Sequence, residues 1–364
     1  MTAGPGRLGS ADPVHLLVPG DVDDPLRPSG GNAYDRRVRD GLRRAGRPVH
    51  QLTLPGDWPE PGPASSARLA RELAALPDGA TVLLDGLVGC AAPAVVLPQA
   101  ARLDVVVLVH LPLGEEPGSP AGLPEREAQV LRAARAVIAT SRWTADRLAG
   151  RHGLDPATVH VAVPGTDPAE LAPGTDGAGG LLSVGSLGPT KGHDLLVDAL
   201  TEVRGHDWRC RIVGPERRQP GFGAALRRTL GERGLDGRIT LAGARAGAAL
   251  DAEYAVADLL VAPSRVESYG MVVTEALARG IPVLASRTGG LPDALGTAAA
   301  PELLVPPGDP AGLTAALRRW LTDPDLRERA RGLARARRDT LPRWDDTVAA
   351  VHAALTAHRP AALR

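Results

Sequence analysis

Two glutamates, Glu267 and Glu275, bracket the stretch Ser-Tyr-Gly-Met-Val-Val-Thr. A carboxylate accepts hydrogen bonds from paired hydroxyls, so two of them close together suit a ribose or a hexose. Gly270 between them permits a tight loop-to-helix turn. A helix opening there leaves the backbone N–H groups of Met271 and Val272 unpaired, and such a terminus attracts a phosphate. The plain alternative is that Glu267 caps the helix and Glu275 faces water. Lys191 is the only lysine in a chain whose other basic residues are arginines and histidines, and Asn32 is the only asparagine. A lone lysine that survives such a bias is either held by function or left at the surface by chance. His110 ends the apolar run Leu-Val-His-Leu-Pro, and Gly30-Gly31 precedes a helical pattern. Asp21-Val22-Asp23 spells D-x-D, a pattern short enough to arise by chance. It reads as a solvated acidic loop, and no catalytic metal is expected.

The elements that must position these residues follow from length and periodicity. At 364 residues, and with roughly 100–200 residues per domain, two domains are expected. Lys plus Arg and Asp plus Glu both number 42, which excludes nucleic-acid binding by bulk positive charge. Hydrophobic residues at 43% and charged residues at 23% indicate a globular chain, with a core built from Leu, Val and Ala. Cys90 and Cys210 stand far apart, with no metal-ligand spacing and no disulfide framework. The first residues lack a basic start and an apolar run, and no stretch is long enough to span a bilayer, so a cytoplasmic location is expected.

Continuous β-branched runs punctuated by Gly, Pro and Asp predict strands buried on both faces at 14–19, 49–54, 81–84, 105–109 and 137–139. Helices fall at about 32–45, 64–76, 90–101 and 124–135. Residues 167–180, rich in Pro and Gly, read as a linker. The alternation then resumes, with strands at 181–184, 210–213, 239–241, 259–261 and 283–285. Helices follow at about 191–203, 222–233, 270–278 and 312–321, and a last one at 344–358. Such alternation predicts βαβ units and parallel sheets. The expected fold is α/β: two doubly wound Rossmann-like domains with an interdomain cleft, ligands lying at the C-terminal ends of the strands. The expected domains are 1–166 and 181–343, with 344–364 packing back on the first. Residues 36–47, strongly basic, read as a solvated helix face with a thin apolar stripe at Val38 and Leu42, so membrane contact is not expected.

The segment Pro-Ser-Arg-Val-Glu267-Ser-Tyr-Gly-Met-Val-Val-Thr-Glu275, continuing through Glu-Ala, Gly-Ile-Pro-Val and Gly289-Gly290, resembles the E-x7-E signature of retaining glycosyltransferases of family 4, which have the GT-B fold. The resemblance implies that Glu275 holds the nucleotide ribose, that Glu267 contacts the donor sugar hydroxyls, and that the N–H groups from Tyr269 through Gly270, Met271 and Val272 hold sugar and diphosphate. Residues 182–193, Leu-Ser-Val-Gly-Ser-Leu-Gly-Pro-Thr-Lys-Gly-His, resemble the family segment in which an Arg and a Lys neutralise the leaving diphosphate. Lys191 stands at the Lys position and Ser186 at the Arg position, a departure. Arg217 and Arg218 are candidates to supply the missing charge. Gly30 and Gly31 are implied near the donor phosphate and the acceptor, with Asn32 either there or capping the helix. His110 is implied beside the donor sugar. Gly290 is a candidate donor contact or a plain turn. Thr140-Ser141-Arg142 and 163–167 match further family landmarks, with Asp167 read as structural.

The resulting expectation is a hexose transfer from a nucleotide diphosphate sugar, UDP favoured, to a small soluble acceptor such as a metabolite or natural product. The nucleotide sugar is a co-substrate, no cofactor is expected, and no nucleic-acid partner. Retention without a protein nucleophile implies front-face attack. A hydrolase or epimerase of the same fold, or a catalytically silent nucleotide-sugar binding subunit, are the alternatives, the latter kept open by Ser186. Base, sugar, acceptor and oligomeric state are not specified by the sequence.

Overall fold

The computed structural model describes residues 12–25, 27–116, 119–175, 177–216 and 221–357. The chain divides into two compact units: Met1–Asp24, Gly30–Gly165 and Pro342–Arg364 in one, Pro25–Ser29 and Thr166–Leu341 in the other.

The first unit is a six-stranded sheet in the order β2-β1-β3-β4-β5-β6, where β1 is Val14–Pro19, β2 Val49–Leu54, β3 Thr81–Asp85, β4 Asp104–Val109, β5 Ala136–Ala139 and β6 Val159–Val161. Every pairing is parallel. The middle strands are buried on both faces, which is why they read as unbroken Val/Leu runs. The second unit repeats the plan in the order β12-β11-β10-β7-β8-β9, with β7 at Gly180–Val184, β8 at Arg209–Val213, β9 at Ile239–Gly243, β10 at Leu259–Ala262, β11 at Val283–Ser286 and β12 at Leu304–Val305. These pairings too are parallel. Each sheet has one topological switch point, between β1 and β3 and between β7 and β10, where the following loops diverge and leave room for a ligand.

Few aromatics are available, and most of those are spent on anchoring. Trp58, Trp208 and Trp320 are buried, and each indole N–H donates to a carbonyl: Leu54 O at 2.8 Å, Val203 O at 3.0 Å and Ala178 O at 2.9 Å. A buried indole so satisfied adds area without an unpaired donor.

Helical segments unforeseen in the sequence are Arg142–His152, Ala248–Ala255, Leu291–Leu295 and Pro324–Arg338. The last is so rich in Arg that only Leu326, Ala330 and Ala334 mark its buried face. The helix expected over 90–101 is shorter, Pro93–Gln99, with Pro93 at its first position, and a separate turn of helix, Gly86–Gly89, precedes it.

Residues 167–175 and 177–180, within the expected linker, form a strap laid on the second unit. Ala172 N donates to Arg279 O and Gly174 N to Ala255 O, both at 2.9 Å. The buried Asp258 carboxylate collects Thr175 N at 3.0 Å and Gly180 N at 2.8 Å. A Pro/Gly-rich stretch lacks periodicity, but its backbone donors still find partners. The final helix, Trp344–Thr356, lies against helix Gly30–Arg44 in the first unit. Thr347 Oγ1 donates to Val163 O at 2.7 Å, and Arg135 Nη1 reaches Ala354 O at 3.1 Å near the helix end. The basic stretch 36–47 is largely committed: Arg39 to Asp23 at 3.0 Å, Arg43 to Val49 O at 2.8 Å, and buried Arg47, beyond the helix, to Asp12 O at 3.3 Å. Tyr34 and Gly41 join Val38 and Leu42 on the buried face of that helix.

Candidate active site

In the second unit, β7 and β10 flank the switch point, and the loops that leave them carry Lys191 and Glu267. After β7 the chain turns through Gly185 and Ser186 into a 3-10 turn, Pro189–Lys191. Gly192 ends that turn at φ 69°, and a Cβ there would stand 2.1 Å from Pro263 O. Only glycine allows the Lys191 turn to seat against the end of β10. Arg265 locks the two loops together: its backbone N–H donates to Thr190 O at 2.8 Å, and its guanidinium grips both Asp194 oxygens at 2.8 and 2.7 Å and Pro189 O at 2.7 Å.

The result is a short ion pair, Lys191 Nζ to Glu267 Oε2 at 2.6 Å, with Ser264 Oγ 3.4 Å from the same oxygen. Lys191 is therefore not a stray surface lysine, and Glu267 is not a helix cap: no side chain caps helix Met271–Ala278, which opens at Gly270 with φ 98°. The Met271 and Val272 N–H groups find no acceptor among the described residues. One turn into the helix, the Glu275 carboxylate takes a 2.8 Å bond from the Tyr254 hydroxyl on Oε2. Burial pushes its carboxyl above the usual range despite that bond and the nearby Arg279. The Tyr254 bond holds the side chain by Oε2 alone, and Oε1 has no partner among the described residues, which leaves one oxygen for a ligand hydroxyl.

Tyr269 is buried, and burial pushes its phenol up to about 12. Gly289 and Gly290 lie against the Glu267 loop: Gly290 N donates to Glu267 O at 3.0 Å, and a Cβ on Gly289 would fall 1.6 Å from that oxygen. This close approach supports the Glu267 backbone. Ser186 sits in the turn after β7, flanked by Gly185, whose carbonyl a Cβ on Gly214 would approach to 1.9 Å. Arg217 and Arg218 lie outside the described residues. His193, next to Lys191, is fully buried with both ring nitrogens unpartnered among the described residues, and burial holds it down at about 4, so it is neutral at pH 7.

In the first unit, Gly30 and Gly31 open helix Gly30–Arg44 after β1, and His110 follows β4. The His110 ring lies over Gly31, where a Cβ would meet Cδ2 at 3.2 Å, and against Tyr34 in an edge contact with centroids 5.3 Å apart. Its Nε2 lies 2.9 Å from Asp35 Oδ1 and 3.6 Å from Asp85 Oδ2. Burial opposes protonation of the ring, but the charge and hydrogen bond of Asp35, with Asp85 the least contributor, outweigh it and push His110 up to about 9. Asn32 Nδ2 donates to Asp21 O at 3.0 Å, and Asp23 pairs with Arg39 and takes a 2.8 Å bond from Gln51, so the D-x-D loop is braced to its own unit. Donor atoms of Asp35, Asp85 and His110 fall within 4.8 Å of one another, the one such trio among the described residues. A hydrogen bond already joins two of its members. Sequence reasoning missed Asp35, Asp85, Tyr254 and Arg265. Asp85 ends a strand and Asp35 sits one helical turn after Gly31, and those placements were the available signal.

Two family models match in tandem: Glycosyltransferase Family 4 over residues 12–170 and Glycosyl transferases group 1 over 176–337. The chain belongs to glycosyltransferase family 4. A D-inositol 3-phosphate glycosyltransferase of Kineococcus radiotolerans is 35% identical over 65% of this chain and 60% of its own length. A protein of the same name from Jonesia denitrificans is 33% identical over 61% and 56%. The chain thus spans a little more than half the length of these relatives. Sucrose-phosphate synthase of Thermosynechococcus elongatus superimposes with a TM-score of 0.76 at 22% identity, over 94% of this chain and 98% of that one. Anabaena HepE, solved with UDP and glucose, superimposes with a TM-score of 0.72 at 18% identity, over 95% and 99%. These likenesses establish the GT-B fold. No helix among the described residues is long and apolar enough to cross a membrane.

Proposed function

We propose that the protein is a retaining, metal-independent glycosyltransferase that moves a hexose from a UDP-sugar to a phosphorylated polyol of the inositol phosphate class. The observation that carries this reading is the Lys191–Glu267 pair, 2.6 Å apart at the switch point of the second unit, beside a helix whose first N–H groups are unpaired. An ammonium and oriented N–H groups are what a departing diphosphate needs, because they stabilise charge where it develops. Lys191 turns from Glu267 to the diphosphate when the donor binds. Glu267, freed of its partner, accepts from sugar hydroxyls. The open oxygen of Glu275 accepts from the ribose. No protein nucleophile is invoked: the leaving phosphate takes the acceptor proton during attack on the same face. The acceptor class follows from the names of the relatives, and UDP from the ligand of HepE.

The test is incubation of the purified full chain with UDP-hexoses and D-inositol 3-phosphate, reading UDP release and the anomeric coupling of the product by NMR. A product of unchanged anomeric configuration is expected. An inverted product, or no transfer to that acceptor, contradicts it. Ser186 in place of a cationic residue favours one other reading, a nucleotide-sugar binder without transfer. UDP binding with no turnover over a broad acceptor panel would point there.

A further inference from the structure

We propose that Asp35 and Asp85 are positioning residues that share a single proton and hold the His110 imidazole as an anchored cation, its Nε2–H committed to the carboxylates and its Nδ1–H presented to substrate. The last clause rests on the reading that His110 meets a substrate. The proton sharing does not.

Asp35 is 1% exposed, and its Oδ1 is engaged by His110 Nε2 at 2.9 Å, yet its Oδ2 has no hydrogen-bond partner among the described residues. A buried carboxylate oxygen without a donor is costly. Asp85, the buried third member of the trio, has Oδ2 3.6 Å from the same ring nitrogen and Oδ1 already fixed by a 2.7 Å bond from Leu87 N. Two ionised carboxylates side by side would repel, whereas a proton on Asp85 turns the repulsion into the missing hydrogen bond. Burial first, then the charge of Asp35, pushes the Asp85 carboxyl up to about 7. The charge count agrees. Imidazolium, carboxylate and neutral acid sum to zero in a water-poor spot, where an unbalanced charge is disfavoured.

Two further titratable groups adjoin the trio, and both stay neutral; beyond Cys90 the buried Glu127 pairs with His152 at 2.8 Å. Tyr34, from the helix that carries Asp35, donates to Ala162 O at 2.8 Å, and burial pushes its phenol up. Burial likewise pushes up the thiol of Cys90, which lies beyond Asp85. The ring is fixed by Gly31 beneath and Tyr34 at its edge, so orientation and charge are set together. Among the described residues Nδ1 has no partner.

The experiment is a pH titration of the His110 ring by NMR on full-length protein labelled with nitrogen-15 in histidine, assigned with His110→Gln. It reads protonation directly and needs no substrate. In the wild type the ring is expected to stay protonated through pH 8. In Asp35→Asn its midpoint should fall below 6.5, the ordinary value. Asp85→Asn, whose amide still donates to Asp35, should keep the midpoint near that of the wild type, while Asp85→Ala should lower it. A wild-type ring already neutral at pH 7 would overturn the proposal. So would an Asp35→Asn midpoint unchanged from wild type, or an Asp85→Asn midpoint as low as that of Asp35→Asn. Stoichiometric Zn2+ kept by the wild type through chelator dialysis and lost in Asp35→Asn would overturn it too, making the trio a metal centre. Loss of transfer in His110→Gln tests the functional reading separately. If both hold, the alkaline limb of kcat moves to lower pH in Asp35→Asn with donor KM unchanged.

Discussion

At the scale of single residues, the account rests on committed charges. Lys191 and Glu267 neutralise each other at 2.6 Å, and the proposed donor binding would separate them. Lys191→Ala removes the ammonium but leaves the fold, since its side chain is partly exposed. Glu267→Ala should lower transfer by about 100-fold or more, the size of loss seen when an oriented transition-state contact is removed. Circular dichroism would show the fold retained, and near-normal turnover would remove Glu267 from the site. Tyr254→Phe deletes the donor to Glu275 and should weaken UDP binding several-fold with a stability loss of about 1 kcal/mol, read by titration calorimetry and urea unfolding. The first unit has its own residue-scale signature. His110 is raised to about 9 from an ordinary 6.5, so the stability it contributes is full below pH 6.5 and is lost as pH rises through about 9. Urea midpoints measured from pH 6 to 10 should fall over that window in the wild type and much less in His110→Gln.

At the scale of elements, loops at strand ends are held by few contacts, and those contacts can be broken singly. Arg265 ties the Lys191 turn to the Glu267 loop. Its pair with Asp194 is partly exposed and screened, so Arg265→Ala should change the melting temperature little while raising the UDP dissociation constant several-fold. Equal affinity would show that the turn holds itself. Gly192→Ala should be far harsher, because the left-handed backbone and the 2.1 Å approach to Pro263 O both exclude a side chain. A loss of more than about 2 kcal/mol in unfolding free energy is expected. Much of this layer was legible in the sequence. The β-branched runs marked most strands, and E-x7-E after a Pro-Ser strand end marked the loop that sets Glu267 beside Lys191. What escaped has physical reasons. Pro324–Arg338 hides a three-residue apolar face among arginines. The strap over 167–175 and 177–180 is held by backbone bonds that leave no pattern in residue type. Asp35 and Asp85 come together with His110 only through tertiary structure, since they sit on different elements at remote positions.

At the scale of the whole molecule, two similar sheets each offer a switch point, and each carries a charged cluster at the ends of its strands, His110 with Asp35 and Asp85 in one and Lys191 with Glu267 in the other. The duplication of plan suits the proposed two-substrate reaction. The returning helix Trp344–Thr356 belongs to the first unit. A Cβ on Gly41 would come within 2.2 Å of Val348 Cγ2, so the two helices meet almost backbone to side chain. Removing residues 342–364 would expose Tyr34, Val38 and Leu42, the face that also sets the His110 ring, and little folded protein is expected from that truncation. The central claim is that the second unit binds a nucleoside diphosphate at Lys191. Calorimetric titration of UDP into the wild type and Lys191→Ala tests it most directly. Binding at one site in the wild type, weakened about 10-fold or more in the variant, is the predicted result. No UDP binding by the folded wild type, or equal affinity in both proteins, would contradict the account.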